Sequence, residues 1–171
     1  MVKYIYRDLV TAFGYLPYGL ALGIPLSAAL VLVAFFMRRK RGRQAFVPLV
    51  AFCLYLAILL VITFLSRESG STPGAMDLKL FSTWGINNRN NAFVVENVLL
   101  FIPYGFLGCC AFMRLRSFFR CMFFGALTSM AVEYLQLVTA RGFFQIDDIL
   151  TNILGTVIGY FLFLLLVGRN D

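Results

Sequence analysis

Histidine is missing altogether from the 171 residues. Its absence removes the most common zinc ligand and the usual general base near neutral pH. Acids are scarce as well, with eight Asp and Glu in all, and charged residues make up only 13% of the chain. A soluble domain carries roughly a quarter charged residues, so the composition argues against a water-soluble globule. The four cysteines, Cys53, Cys109, Cys110 and Cys121, fall inside or beside long apolar runs. With none in an external loop, no disulfide framework is implied.

What the chain does have is apolar length. Hydrophobic residues make up 61% of it. No charge falls between Leu9 and Met37, between Gln44 and Ser66, between Asn97 and Met113, or between Ile149 and Gly168. A fifth run, Cys121 to Ala140, is interrupted only by Glu133. A helix needs roughly 20 apolar residues to cross the hydrocarbon, and only helices or closed barrels satisfy their backbone there. The runs have helical length, and five spans are expected at about 12–36, 45–65, 94–113, 121–140 and 149–167. The first is too long for a cleaved signal peptide and is followed by "RRKRGR" (38–43), so it is expected to be retained. The fold expected is an all-α membrane protein: a bundle of five transmembrane helices forming a single domain, 1–171.

Lys and Arg outnumber Asp and Glu by 15 to 8, but the basic residues cluster between spans. That is the positive-inside pattern, which sets nucleic acid aside as a partner. Arg38, Arg39, Lys40, Arg41 and Arg43 place their loop in the cytoplasm, with Arg114, Arg116, Arg120 and Arg169 on the same side. Nine basic residues are then inside and six outside, with the N-terminus outside and the C-terminus cytoplasmic. The external loop 66–92 opens with the flexible "SRESGSTPG". "MDLKLFSTWG" follows, whose Leu78, Leu80, Phe81 and Trp84 suit the lipid–water boundary; a short strand or turn covering the helices fits it equally well.

The polar residues of the last three spans then sort by depth. Glu133 lies roughly 10 Å below the outer end of its helix and Gln136 about 6 Å below it, on one face. Arg141 stands just above them. Asp147 and Asp148 open the next helix, and Asn152 follows one turn deeper on the face of Asp148. Glu96 and Asn97 occupy the outer end of the third span, so all eight fall in the outer third of the membrane. An ionisable group in a span usually faces a bundle interior or wet cavity, and a polar cleft open to the outside is expected. Each residue also has a plainer reading. Asp147 and Asp148 would cap a helix and complement its dipole. Asn152 would make an interhelical hydrogen bond, and Glu133 would pair with Arg141 to close a hairpin. "GTVIG" (155–159) reads as close helix packing. Pro17, Pro25 and Pro103 are expected to kink their helices.

Three segments, "NVLLFIPYGFLG" (97–108), "EYLQL" (133–137) and "RGFFQIDDILTNILGTVIGY" (141–160), resemble the VanZ-like family. The resemblance covers roughly 93–165, the last three helices; the first two spans agree only in hydropathy. Asp147, Asp148, Asn152, Gly155 and Gly159 follow the family's spacing in its common "DIDD" form, except that Gln145 stands where that form has its leading acid. The family takes its name from a protein of glycopeptide-resistance clusters that raises resistance to teicoplanin, a lipid-tailed glycopeptide. The resemblance implies a bacterial plasma-membrane protein acting at the outer leaflet, and it supplies no reaction.

The first functional expectation is a protein that binds a lipid-tailed envelope molecule among membrane lipids. That molecule is a lipoglycopeptide or a lipid-linked wall precursor, met by Asn97, Glu133, Gln136, Arg141, Asp147, Asp148 and Asn152. The second is an enzyme acting on lipid-linked precursors, with Glu133 or Asp148 as general base. The third, a small lipid carrier, conflicts with the apolar inner halves of the helices, since an alternating path is lined on both sides of the midplane. No cofactor is expected. No motif specifies Mg²⁺ or Ca²⁺, although Glu133, Asp147 and Asp148 offer oxygen ligands. The oligomeric state is left open.

Overall fold

The structure, a computed structural model, describes residues 1–37, 46–65 and 76–168. The basic 38–43 cluster, Arg169 and the "SRESGSTPG" stretch lie outside the described residues.

Five helices are long and apolar enough to cross a membrane. They are α1 (Val2–Met37), α2 (Phe46–Leu60), α3 (Asn88–Ala111), α4 (Phe118–Val138) and α5 (Ile146–Leu166). All but α2 begin before their uncharged runs, α1 at Val2 and α3 at Asn88 by the most. The reason is local: Asn87 caps α3, its side chain accepting from the N–H groups of Arg89 and Asn90, so the helix starts in polar sequence outside the apolar stretch. Pro17 and Pro25 sit inside α1, which continues through both. The end of α2 widens into a π-helical turn, Val61–Leu65. A two-residue strand, β1 (Met76–Asp77), pairs in parallel with β2 (Phe144–Gln145), in the register Met76 to Phe144. The segment that opens with "MDLKLFSTWG" is thus both strand and turn.

Small residues decide how the helices meet, as expected where lipid is as apolar as leucine and close backbone approach is the main attraction. A Cβ on Gly155 would press on the carbonyl of Val98, and one on Gly159 on the carbonyl of Ile102. Both partners advance by four, so α3 and α5 run parallel in backbone contact. Gly105 of α3 faces the backbone of Thr156 in return. On the other side of α5, Gly125 of α4 lies under Thr156, and Ser129 bonds Asn152. That register is antiparallel. Its next step brings Glu133 level with Asp148.

α2 packs on α3 through Phe52, Leu59, Phe101 and Tyr104, and α1 lies on α2 through Gly19 and Gly23. Outward faces are apolar in every helix, with Phe13, Val47, Leu99, Phe123 and Leu165 exposed. Such a surface suits lipid and not water. At the end marked by Arg114 and Arg116, Cys109, Cys121, Tyr160 and Phe163 close the core, and the four cysteines are free thiols.

Candidate functional site

At the opposite end, where α3 and α5 begin and α4 finishes, the buried polar side chains gather. Glu133 is 2% exposed, Gln136 1%, Asn152 4%, Asp147 6% and Asp148 7%. The cluster is therefore enclosed by protein, and the cleft open to the outside that depth alone suggests is roofed over.

The roof is the segment that leads into α3. Asp147, in the first turn of α5, turns its carboxylate toward it. The N–H of Phe81 donates to Oδ1 at 2.7 Å, and that of Thr83 to Oδ2 at 2.8 Å. The Ser82 hydroxyl lies 3.4 Å from the same Oδ2 and 2.7 Å from Asp77. Bonds from backbone N–H to a carboxylate are charge-assisted and stronger than neutral ones. Phe81 needs that support, since its φ of 59° is the left-handed conformation that L side chains avoid. Asp77 fixes the start of the turn, accepting from the Ser82 hydroxyl and the Lys79 N–H. These bonds, in that order, hold its carboxyl below the usual range.

Glu133 reaches the other strand of the roof, accepting the N–H of Gln145 at 3.1 Å. Gln145 is also the N-cap residue of α5 and makes no side-chain cap bond. Gln136 donates to the carbonyl of Thr63 at 2.9 Å, and Arg141 to that of Phe64 at 3.2 Å. Both carbonyls belong to the π turn of α2, at a helix end that leaves carbonyls without intrahelical partners. The Arg141 guanidinium also stands 5.0 Å from the centre of the Phe64 ring. Sequence spacing puts Gln136 and Arg141 near the acids; their part in tying α4 to α2 is visible only in three dimensions.

Asn152 holds the centre. Its Nδ2 donates to Ser129 at 2.9 Å, while its Oδ1 is buried without a hydrogen-bond partner. Thr83 Oγ1, in the roof, is a second buried polar atom without one. Unsatisfied buried acceptors are costly and call for an explanation, such as a group that binds there.

Asn97 is half-buried, one residue before the Val98 carbonyl on which Gly155 rests. No hydrogen bond joins its side chain to the others among the described residues. Glu96, at the same end of α3, belongs to a different group. It stands against Asp8 of α1, which is ion-paired with Arg89 and lies 3.2 Å from Arg7. Arg89 also covers the ring of Phe93 at 4.3 Å. The eight polar residues expected at one depth thus divide: Glu96 meets α1, Asn97 stands alone, and six ring the junction of α2, α4 and α5.

Chemically, the interior of that junction is rich in acceptors. Asn152 Oδ1 lies unpaired at the level of Glu133 and Asp148, and Arg141 bonds the end of α2. Among the described residues, no group of three or more His, Cys, Asp or Glu is placed to hold a metal ion. Both oxygens of Asp147 are taken by the roof.

The VanZ/LLP1 family pattern matches residues 49–167, and the chain belongs to that family. The match begins in α2, so it takes in that helix as well as the last three, and α1 lies outside it. No curated protein and no solved structure matched the chain.

Proposed function

We propose that this multi-pass VanZ-family protein works in a bacterial plasma membrane with its N-terminus outside. There it binds the head group of a lipid-tailed envelope molecule at the outer leaflet and contributes to resistance to glycopeptides such as teicoplanin. The orientation rests on the charge balance, nine basic residues on the cytoplasmic side against six outside. The observation that carries the binding reading is Asn152 Oδ1, a buried acceptor without a partner at the level of Glu133 and Asp148.

An unpaired acceptor asks for a donor. Ammonium, hydroxyl and amide N–H groups on a lipoglycopeptide, or on the sugars and peptide of a lipid-linked wall precursor, would supply it. The tail would lie along the apolar outer faces of the helices. Because the cluster is roofed, the head group reaches it when the 76–84 turn lifts from Asp147, and that cost lowers the apparent affinity.

The test is susceptibility to a lipid-tailed glycopeptide in cells making equal amounts of wild type, Asp148→Asn and Glu133→Gln. Both changes keep shape and delete charge, and both are expected to abolish protection. In nanodiscs, affinity should fall about 10-fold or more, the size expected for losing a charged hydrogen bond. Normal protection by both variants would return the acids to a purely structural role. Turnover of a lipid-linked precursor by the pure protein, lost in the same variants, would establish the enzyme instead.

A further inference from the structure

The turn that roofs the cluster is built inside out. Its polar side chains point inward: Thr83 is buried, and Asp77 and Ser82 are bonded to each other. Its large apolar side chains point away from the protein. Leu78 is 62% exposed, Leu80 52%, Phe81 72%, Trp84 63% and Ile86 65%. Five such residues within nine positions form a patch that water does not favour, and patches of this kind mark interaction surfaces.

Its place in the fold says what covers it. The turn runs from β1, paired beside the start of α5, to the Asn87 cap of α3. It therefore sits at the level where two spanning helices begin, and exposed Phe143 and Val138 of the neighbouring connection and helix continue its surface onto the spans. The one charged side chain among the exposed residues of the turn is Lys79, whose apolar stem and cationic tip suit a layer of lipid phosphates. Outward presentation is enforced: Phe81 is held at positive φ by the bond from its N–H to Asp147.

We infer that residues 76–86 form a flap docked in the head-group boundary of the bilayer, with lipids of the leaflet as the partner of its apolar face. Trp84 sits at head-group depth, where tryptophan is favoured, and Lys79 reaches the phosphates above it. The flap is joined to the buried cluster through Asp147, so the membrane surface holds down the roof of the site. This inference stands on the turn's own geometry, apart from the identity of any ligand.

Trp84 is the chain's single tryptophan, which makes the full protein its own probe. The chain is reconstituted in phosphatidylethanolamine–phosphatidylglycerol vesicles whose acyl chains are brominated either near the head group or near the terminal methyl. Emission is expected to be blue-shifted from that of indole in water. Quenching by the shallow label should exceed that by the deep label about twofold, as an interfacial position requires. Phe81→Ser with Leu78→Ser should lower the shallow quenching while leaving the helical circular dichroism unchanged. Full acrylamide quenching with no quenching by lipid would overturn the inference. So would shielding from acrylamide and lipid alike, which would mean a protein cover, or stronger quenching by the deep label.

Discussion

Two helix pairs in this molecule are built on a Gly-x-x-x-Gly spacing, and they use it differently. In α5, Gly155 and Gly159 rest on the backbone of α3, where an added Cβ would fall well inside the 3.0 Å that real Cβ atoms keep. In α1, Gly23 faces α2 with its nearest contact the Cβ of Ala57 at 3.0 Å and the next the Leu54 Cδ2 at 3.1 Å. At Gly23 a shift of a few tenths of an ångström relieves the contact, whereas the deeper overlap at Gly155 and Gly159 falls on helix carbonyls and forces the backbones apart. The same motif thus makes a tight joint in one place and a looser one in another. The tight joint lies in the part matched to the family, and α1, the looser partner, lies outside it.

The strongest way to break this contrast is to add one methyl to each pair. Gly159→Ala should cost about 3 kcal/mol or more, because overpacking here displaces backbone. Gly23→Ala should lie within about 1 kcal/mol of wild type, since the gain in helix propensity offsets the crowding. Thermal unfolding in detergent measures both, and equal losses would erase the distinction.

A change of intermediate size separates the helices from their roof. Asp147→Ala should cost about 2 kcal/mol by stranding two backbone N–H groups, each of which carries a desolvation penalty when unpaired. The loss should appear as protease cleavage near residues 76–86 with the helices still folded. Intact resistance to cleavage would show that the turn does not depend on the carboxylate.

The smallest effect is one of pH. Asp77 is held below its ordinary pKa by Ser82 and then by the Lys79 N–H. A carboxylate whose pKa drops on folding stabilises at pH above its unfolded value, and the contribution disappears as pH falls through the folded one. The turn should therefore stay seated down to about pH 4 and loosen below it. Trp84 emission follows this, and Asp77→Asn should flatten the acid limb. Loosening between neutral pH and about pH 5 would point to a different group.

The five helices were legible because uncharged length is enough to define a span. Their starts were less so: α1 and α3 extend into Lys3, Arg7 and Arg89, residues that end an apolar run without ending a helix. Depth placed Glu133, Gln136, Arg141, Asp147, Asp148 and Asn152 at one end of the bundle, and the structure gathers them there. It could not show the roof, because the bond from Phe81 to Asp147 joins residues 66 apart. One signal was present: Asp77, Ser82 and Thr83 are interleaved with Leu78, Leu80, Phe81 and Trp84, the alternation of a segment with two unlike faces. The π turn carried none, since Val61–Leu65, apolar but for Thr63, reads as ordinary spanning sequence.

That π turn bears on the order in which the molecule is assembled. The carbonyls of Thr63 and Phe64 find their side-chain partners in Gln136 and Arg141, 73 and 77 residues downstream. A growing chain delivers α1 and α2 to the bilayer long before those partners exist, and until then water must satisfy the two oxygens. The early hairpin is thus held at the membrane surface on that side, unable to sink further or to settle against its final neighbours. Only when α4 has crossed and returned its far end do the amide and the guanidinium dock, so that the fourth helix works as the late fastener of a structure begun by the second.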